Sequence, residues 1–437
     1  MILTVLSATK EPKKCDNSRM TKNVFKPELV APAGSLEKLE LAYRMGADAC
    51  YMGTTAFSMR TRQNLIGKRH LEQAKTISQK YGKKLYACVN TFPHNGMLKG
   101  LAKHISFLGD LSPDAIVFAD PSVLELAAET AINVPLHLSV QTSTANYISV
   151  KFWKKIGVKR VVLARELSLK EIIEIRKEVP EMELEAFVHG SVCMAYSGRC
   201  FISNVFTGRD ANNGMCAHNC RDPFTVVSAT VKNEAHNEQE MVIEEDIHGS
   251  HLISSRDMCL LPHLDKLVGA GIHAFKIEGR NKTEYYLAVA VRTYREAIDR
   301  IANGEEVGQN LINEIAKTNN RGFFSGFYFP ELEETTEQGE RNGEADGTKG
   351  YFAAVVRSID GNGLRVSVRD KIKKGDKLRL LTEKYGSEKI ITVAETRNFK
   401  NETAESVSSG VEAYLILEEK PETAWEGLLL QKTDTPQ

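Results

Sequence analysis

The segment from Glu185 to Arg221, EAFVHGSVCMAYSGRCFISNVFTGRDANNGMCAHNCR, begins as an apolar strand-like run and continues into a cysteine-rich loop. It contains four cysteines, and Cys259 follows in RDMCLLPHL, so five of the eight cysteines lie in one region of the chain. Glycine and asparagine residues between them permit tight turns with positive φ. The pattern indicates a loop that wraps a metal ion or a cluster, and the rest of the chain is expected to be its scaffold.

On both sides of this segment, short strand-like runs alternate with helix-length amphipathic segments. Eight such runs begin at Glu28, Asp48, Lys84, Ala115, Leu136, Arg160, Leu184 and Ala274. Ser35 and Ser168 each precede a helical pattern and are followed within one turn by Glu, which is typical of helix N-caps. Eight consecutive units favour an α/β fold with a closed (β/α)₈ barrel over an open doubly wound sheet. No G-x-G-x-x-G follows the first run, so a dinucleotide fingerprint is absent.

The chain divides into four parts by composition. We expect a disordered tail over 1–26 and the barrel over 27–320, with the cysteine-rich loop at 190–259. An acidic, glycine-rich linker is expected over 321–349, because that stretch lacks apolar periodicity. Short alternating runs over 350–432 predict a small C-terminal all-β barrel.

The overall charge excludes a global electrostatic attraction to nucleic acid or membrane, because 57 Lys and Arg residues balance 57 Asp and Glu residues. A nucleic-acid partner would therefore bind a local basic patch, and candidates are Met59–Arg69, Lys151–Arg160 and Arg365–Arg379. No apolar run approaches the length of about 18 residues that a transmembrane helix needs. The N-terminus carries no convincing secretory signal, so we expect a cytoplasmic protein with reduced thiols.

Several polar residues follow the strand-like runs, at the end of a barrel where active sites lie. Asn90 and Gln141 are among them, and His189, Glu166 and Glu278 are the candidates for proton transfer. Arg280, Arg165 and Arg62 are the candidates for binding a carboxylate, because a guanidinium can donate two parallel hydrogen bonds to it. The alternatives are a structural histidine at 189 and an internal ion pair between Glu278 and Arg280. The cysteine loop follows the seventh strand, so it is expected at the same end.

The cysteine spacing is C-x6-C-x15-C-x3-C, followed by Cys259. Paired C-x2-C knuckles, which are typical of zinc ribbons, are missing. Four thiolates at irregular spacing suit an iron–sulfur cluster. A zinc site and a set of inert or redox-active thiols remain open. Five candidate cysteines for four ligand positions leave one extra.

Four blocks of the sequence closely resemble the U32 family, long labelled collagenase-like peptidases. They are EAFVHGSVCMAYSGRCFIS from Glu185, ELVAPAGSLEKLELAYRMGADACYMG from Glu28, DMCLLPHLDKLVGAGIHAFKIEGRNKTEYY from Asp257 and NRGFFSGFY from Asn320. The most similar subgroup comprises prephenate-dependent tRNA uridine hydroxylases. The resemblance implies an oxygen-independent enzyme that forms 5-hydroxyuridine at the wobble position of tRNA, with prephenate as donor and a [4Fe–4S] cluster.

The resemblance also implies a ligand set for the cluster: Cys193, Cys200, Cys216 and Cys259, with Cys220 as the extra cysteine. It further implies tRNA as partner, and a protein partner from the same family is an additional hypothesis. A U32-type peptidase is the alternative function. Neither an H-E-x-x-H helix nor a serine nucleophile elbow is present in the sequence to support it.

Overall fold

A computed structural model of the chain describes residues 25–59, 66–222, 244–246, 249–251, 256–329 and 352–433. Four predictions fall wholly or largely elsewhere. Residues 1–24 of the expected tail, Arg62, residues 60–65 of the Met59–Arg69 basic patch, and the expected linker from residue 330 onward lie outside the described residues.

Eight parallel strands form a closed barrel, which confirms the predicted (β/α)₈ architecture. Numbered in chain order, they are β1 (Glu28–Pro32), β2 (Ala49–Gly53), β3 (Lys84–Val89), β4 (Ala115–Phe118), β5 (Leu136–Leu138), β6 (Arg160–Val162), β7 (Glu183–Ser191) and β11 (Ala274–Ile277). Closure follows from the pairing of β11 with both β1 and β7. The strands are nearly continuous apolar runs because helices cover their outer face.

Helices connect and cover these strands. They are α1 (Leu36–Arg44), α2 (Lys68–Tyr81), α3 (Leu98–Leu111), α4 (Ser122–Glu129), α5 (Tyr147–Lys155), α6 (Leu169–Glu178), α7 (Ile202–Thr207), α8 (Leu264–Gly269), α9 (Glu284–Ala302) and α10 (Gln309–Ala316). The predicted N-caps are confirmed, because the hydroxyls of Ser35 and Ser168 accept hydrogen bonds from first-turn backbone N–H groups. In the described part of the chain, no helix combines the length and apolarity that a membrane crossing requires.

The cysteine segment leaves the barrel and returns beside the same strand. Its further strands are β8 (Glu244–Asp246), β9 (Gly249–His251) and β10 (Asp257–Cys259). β10 runs antiparallel to the end of β7, with Asp257 opposite Ser191 and Cys259 opposite His189. β12 (Phe323–Phe324) pairs with the free edge of β10. The loop is therefore anchored at the carboxyl end of β7.

A second, antiparallel barrel follows, as predicted. Its strands are β13 (Phe352–Asp360), β14 (Gly363–Val368), β15 (Ile372–Lys373), β16 (Lys377–Leu381), β17 (Lys389–Arg397), β18 (Thr403–Ala404), β19 (Ser406–Val407), β20 (Glu412–Leu417) and β21 (Leu429–Lys432). Sequence analysis did not include β21, which pairs with both β13 and β16 and so closes a ring of six strands.

A buried ionic cluster joins the two barrels. Arg292 of α9 donates hydrogen bonds to Glu314 of α10 at 3.0 Å and to Glu388 of the second barrel at 2.7 Å. Arg379 of β16 completes the cluster by bonding to Glu314 at 2.9 Å. Arg292 of the first barrel pairs with Glu388 of the second, and Arg379 of the second pairs with Glu314 of the first, so each barrel neutralises buried charge of the other.

Candidate functional site

A cavity with about 130 Å³ of free space lies at the carboxyl end of the (β/α)₈ barrel, under the cysteine loop. Its floor is formed by barrel strands and strand ends, and its roof by the segment 193–220. The floor residues that can do chemistry are Asn90, Gln141, Arg165, Lys276, Glu278 and Arg280. The sequence-based expectation that loop and strand ends meet at one place therefore agrees with the geometry.

Five cysteines line this cavity: Cys88 of β3, and four from the cysteine loop, Cys193, Cys200, Cys216 and Cys220. Burial raises the pKa of Cys220, and the nearby thiols of the other three loop cysteines raise it further, against the lowering effect of Arg221. In the described ranges, no three His, Cys, Asp or Glu side chains are arranged to hold a single metal ion. The thiols therefore line the cavity and do not converge on one point that a single metal ion could occupy.

Polar contacts within the loop position these cysteines. The Asn212 side chain bonds to both backbone groups of Cys200, accepting from its N–H at 3.3 Å and donating to its carbonyl at 3.0 Å. The Ser203 hydroxyl accepts from the Ala217 N–H at 3.0 Å and lies 4.0 Å from the Cys216 sulfur. These hydrogen bonds hold the loop in a defined shape, which agrees with the predicted loop around a small object.

The loop docks closely on the barrel rim. Gly198 has a φ of +76°, and a Cβ at this position would lie 2.5 Å from the Gln141 carbonyl oxygen. A neighbouring contact joins the Ser143 hydroxyl to the Ser197 carbonyl at 3.0 Å. Glycine is therefore required at 198 for both the left-handed backbone and the close approach.

Cys259, the predicted fourth ligand, does not lie with the other three. It lies in β10 and is buried, and its sulfur is 3.7 Å from the Tyr294 hydroxyl of α9. Burial raises its pKa to about 11. Cys220, predicted as the extra cysteine, lines the cavity with the other three loop cysteines. Which of Cys220 and Cys259 is a ligand stays a prediction.

His189 also faces away from the cavity, contrary to the expectation for a catalytic base. It is 1% exposed, and it packs against the rings of Tyr286, Tyr294 and Phe323. Its Nε2 is buried without a hydrogen-bond partner, and burial lowers its pKa to about 4.

An irregularity in strand pairing explains this orientation. On β11, Lys276 pairs with Phe187 and Ile277 with His189, so β7 carries one extra residue, Val188, at this point. Phe187 lines the cavity. In a regular strand, His189 would point to the same face as Phe187, because side chains alternate. The bulge at Val188 instead turns His189 away from the cavity.

The two predicted cavity arginines, Arg165 and Arg280, are each 8% exposed. Arg165 stacks on the Phe187 ring at 4.0 Å, and its Nη1 donates to the Ser191 carbonyl at 3.3 Å. Its Nε is buried and has no hydrogen-bond partner among the described residues. Arg280 donates to the Ser58 hydroxyl at 2.6 Å and to the Met59 carbonyl. Neither arginine makes an ion pair with a described residue, so the predicted Glu278–Arg280 pair is not formed.

Of the two remaining predicted site residues, one lines the cavity and the other does not. Glu278 lines the cavity, and its Oε2 accepts from the Ser191 N–H at 3.4 Å. Glu166 does not line it, although its Oε2 is buried without a partner. Lys276 lines the cavity and bonds to Glu185 at 2.6 Å. Sequence analysis missed Lys276, although a lysine inside the apolar strand AFKI was the available signal.

The predicted basic patches are only partly at the surface. Arg160 is buried inside the barrel, where it pairs with Glu28 at 2.7 Å and with Glu185 at 3.1 Å. Lys151 pairs with Glu178 at 2.8 Å. Within the Lys151–Arg160 patch, Lys155 and Lys159 remain exposed and make no ion pair with a described residue. In the second barrel, the following lysines are exposed: Lys371, Lys373, Lys374 and Lys377.

The fold and the site define a (β/α)₈-barrel protein whose active-site end is covered by a cysteine-lined loop. The chain matches the Peptidase family U32 over residues 34–338 and belongs to that family. It is 34% identical over 424 residues to "tRNA hydroxylation protein P" of Haemophilus influenzae, covering 87% of this chain and 91% of that protein.

Two further relatives differ in the names they carry. The chain is 35% identical over 393 residues to "tRNA hydroxylation protein P" of Escherichia coli, covering 82% of this chain and 87% of that protein. It is 30% identical over 357 residues to "Collagenase" of Porphyromonas gingivalis, covering 78% of this chain and 81% of that protein.

Proposed function

We propose that this protein is a tRNA hydroxylase that converts the wobble uridine to 5-hydroxyuridine without molecular oxygen. In this proposal it binds a [4Fe–4S] cluster and takes the oxygen atom from a small carboxylate such as prephenate. The observation that carries the proposal is the meeting, at one cavity, of four loop cysteines and two buried arginines that make no ion pair with a described residue. A tRNA substrate also implies a cytoplasmic location.

The relatives named for tRNA hydroxylation support the general activity, because they align with most of this chain and of their own length. Both barrels of the chain are thus represented in the comparison. The exposed lysines of the second barrel give it a surface that suits the phosphate backbone of tRNA.

The chemistry of the donor set fits an iron–sulfur cluster. Thiolates are the usual ligands of such clusters, and the cluster residues would be Cys193, Cys200, Cys216 and Cys220. When bound, the cluster would supply electron transfer or activation of the oxygen donor.

Charge at the cavity floor supports an anionic co-substrate. Other buried cations of the barrel have carboxylate partners: Arg160 pairs with Glu28 and Lys276 with Glu185. Arg165 and Arg280 have none among the described residues, and an uncompensated buried charge is costly. A carboxylate in the cavity would neutralise them, with the free Nε edge of Arg165 as its donor.

Recognition of a uracil base can use the amides of the floor. Gln141 lines the cavity, and its Oε1 is buried with no hydrogen-bond partner in the described part of the chain, so it can accept a hydrogen bond from the N3–H of uracil. Glu278 is the one carboxylate among the described lining residues, and it is our candidate to take the C5 proton. Replacing C5–H by C5–OH oxidises the base by two electrons. The oxygen donor must therefore leave reduced by two electrons.

The test is a reaction of the anaerobically purified protein with unmodified tRNA and prephenate, followed by nucleoside mass spectrometry. We expect 5-hydroxyuridine in tRNA that carries a wobble uridine, in the absence of oxygen and only with the carboxylate present. Reaction by the purified chain alone would also show that a partner protein is dispensable. No hydroxylated uridine with iron-loaded protein, prephenate and a second family member would overturn the proposal.

The alternative of a U32-type peptidase is favoured by the name of the Porphyromonas relative. A thiol peptidase would need a histidine beside its cysteine. His189 does not line the cavity with Cys193, so this pair is not formed in the structure. Release of peptides from gelatin by the metal-free protein would favour the peptidase.

A further inference from the structure

The roof of the cavity presents exposed apolar side chains to solvent. Met194 and Tyr196 line the cavity and are 55% and 58% exposed, so they lie at its mouth. Phe201, at the start of α7, is 69% exposed. Single exposed apolar residues are common, but several in one short segment beside a cavity indicate a binding surface. We call Tyr196 and Phe201, together with the neighbouring Met194, the aromatic rim.

Two arginines lie in the same segment as the aromatic rim. Arg199 is exposed, Arg209 is partly exposed, and neither makes an ion pair or hydrogen bond through its side chain with a described residue. A surface that combines aromatic rings with unpaired arginines is complementary to a nucleic acid, since rings stack on bases and guanidinium groups bind phosphates. A second copy of the chain would instead bring its own arginines to this surface.

We propose that the aromatic rim stacks the unpaired nucleobases that flank the target nucleotide of an RNA substrate. This inference rests on the proposed function, because it assigns the substrate-binding surface of that site. A base that enters the cavity must leave its stack, and its neighbours then lose a stacking partner. Tyr196 and Phe201 replace that partner, while Arg199 and Arg209 bind the adjacent phosphates.

The experiment measures binding of fluorescent anticodon stem–loop RNA to the anaerobically purified full chain. Tyr196→Phe keeps the ring and Tyr196→Ala removes it. Phe201→Leu keeps apolar bulk without a ring, and Phe201→Ala removes both. Phe25→Ala is the matched control, because Phe25 is 48% exposed and lies beside His273 at the amino end of the barrel strands, opposite the cavity. Iron content and circular dichroism of each variant verify that the loop and the fold are intact.

We expect Tyr196→Ala, Phe201→Ala and Phe201→Leu each to weaken binding about tenfold, as removal of one stacking partner does. Tyr196→Phe and Phe25→Ala should bind as the wild type does. Equal binding by all variants would overturn the aromatic rim while leaving the proposed function intact. A wild type that binds no tRNA would overturn both.

Retention of binding by Phe201→Leu together with loss by Phe201→Ala would show an apolar contact rather than stacking, and would overturn the inference. Light scattering tests the remaining possibility, that a second copy of the chain binds this surface. If Phe201→Ala converts a wild-type dimer to a monomer, the surface joins two copies of the chain and does not bind RNA. An unchanged mass across the series is the result that our inference requires.

Discussion

The sulfur of Cys259 lies 3.7 Å from the hydroxyl oxygen of Tyr294, on the helix side of the barrel wall. Its strand neighbour His189 faces the same tyrosine, with Nδ1 3.5 Å from that hydroxyl. Cys259 and His189 therefore belong to the packing between β7, β10 and α9. The cavity on the other side of this wall is lined by the four other cysteines of the region.

Two single substitutions distinguish the possible ligand sets. We expect Cys220→Ala to lose most of the iron, because its thiol is one of the four loop thiols at the cavity. Cys259→Ala should retain about four iron per chain, since its thiol faces Tyr294. Iron and sulfide analysis with visible absorption, after anaerobic purification, measures both. Iron loss in Cys259→Ala with full iron in Cys220→Ala would restore the set implied by family resemblance.

The two cavity arginines are expected to act differently. Arg165→Gln removes the free Nε edge, so KM for the carboxylate should rise about 10- to 100-fold with little change in kcat. Arg280→Gln removes hydrogen bonds to Ser58 and Met59, so it should mainly lower the melting temperature. Steady-state kinetics with varied prephenate and thermal melts make the comparison. An unchanged KM in Arg165→Gln would mean that the carboxylate binds elsewhere.

Close docking of the cysteine loop can be tested with a matched pair of glycines. Gly198 and Gly208 both have positive φ, at +76° and +66°. A Cβ at 198 would lie 2.5 Å from the Gln141 carbonyl, whereas a Cβ at 208 has nothing within 4 Å. Both alanine variants carry a strain of about 1–2 kcal/mol. Only Gly198→Ala should also lose iron and become sensitive to protease in the loop, and equal behaviour would contradict this docking.

Stability should decrease as the pH falls below about 6.5, in part because of His104. Burial lowers the pKa of His104 to about 4, with a further lowering by Lys68. Between these values the unfolded chain binds the proton and the folded chain does not, so acid favours unfolding. At pH 5 the cost is about 2 kcal/mol. Urea melts at pH 5 and 7.5 should show a smaller pH effect in His104→Gln, and an unchanged effect would indicate a protonated His104.

Much of the fold could be predicted from local patterns. The eight strand-like runs became the eight barrel strands, because parallel strands covered on both faces are continuous apolar segments whose positions are visible in sequence. The N-caps at Ser35 and Ser168 depend on neighbouring residues alone and were equally accessible. β21 was missed because a short apolar run acquires its role only by pairing with β13 and β16.

By itself, the sequence determined that cysteines, strand-end arginines and Glu278 would meet at one end of a barrel, since chain order fixes which end of a parallel strand each residue follows. The tertiary structure alone decided which face each side chain takes. One extra residue in β7 turns His189 outward, and the antiparallel return of β10 carries Cys259 with it. Cys220 and Lys276 reach the cavity instead, because side-chain direction depends on strand register and loop closure rather than on local composition.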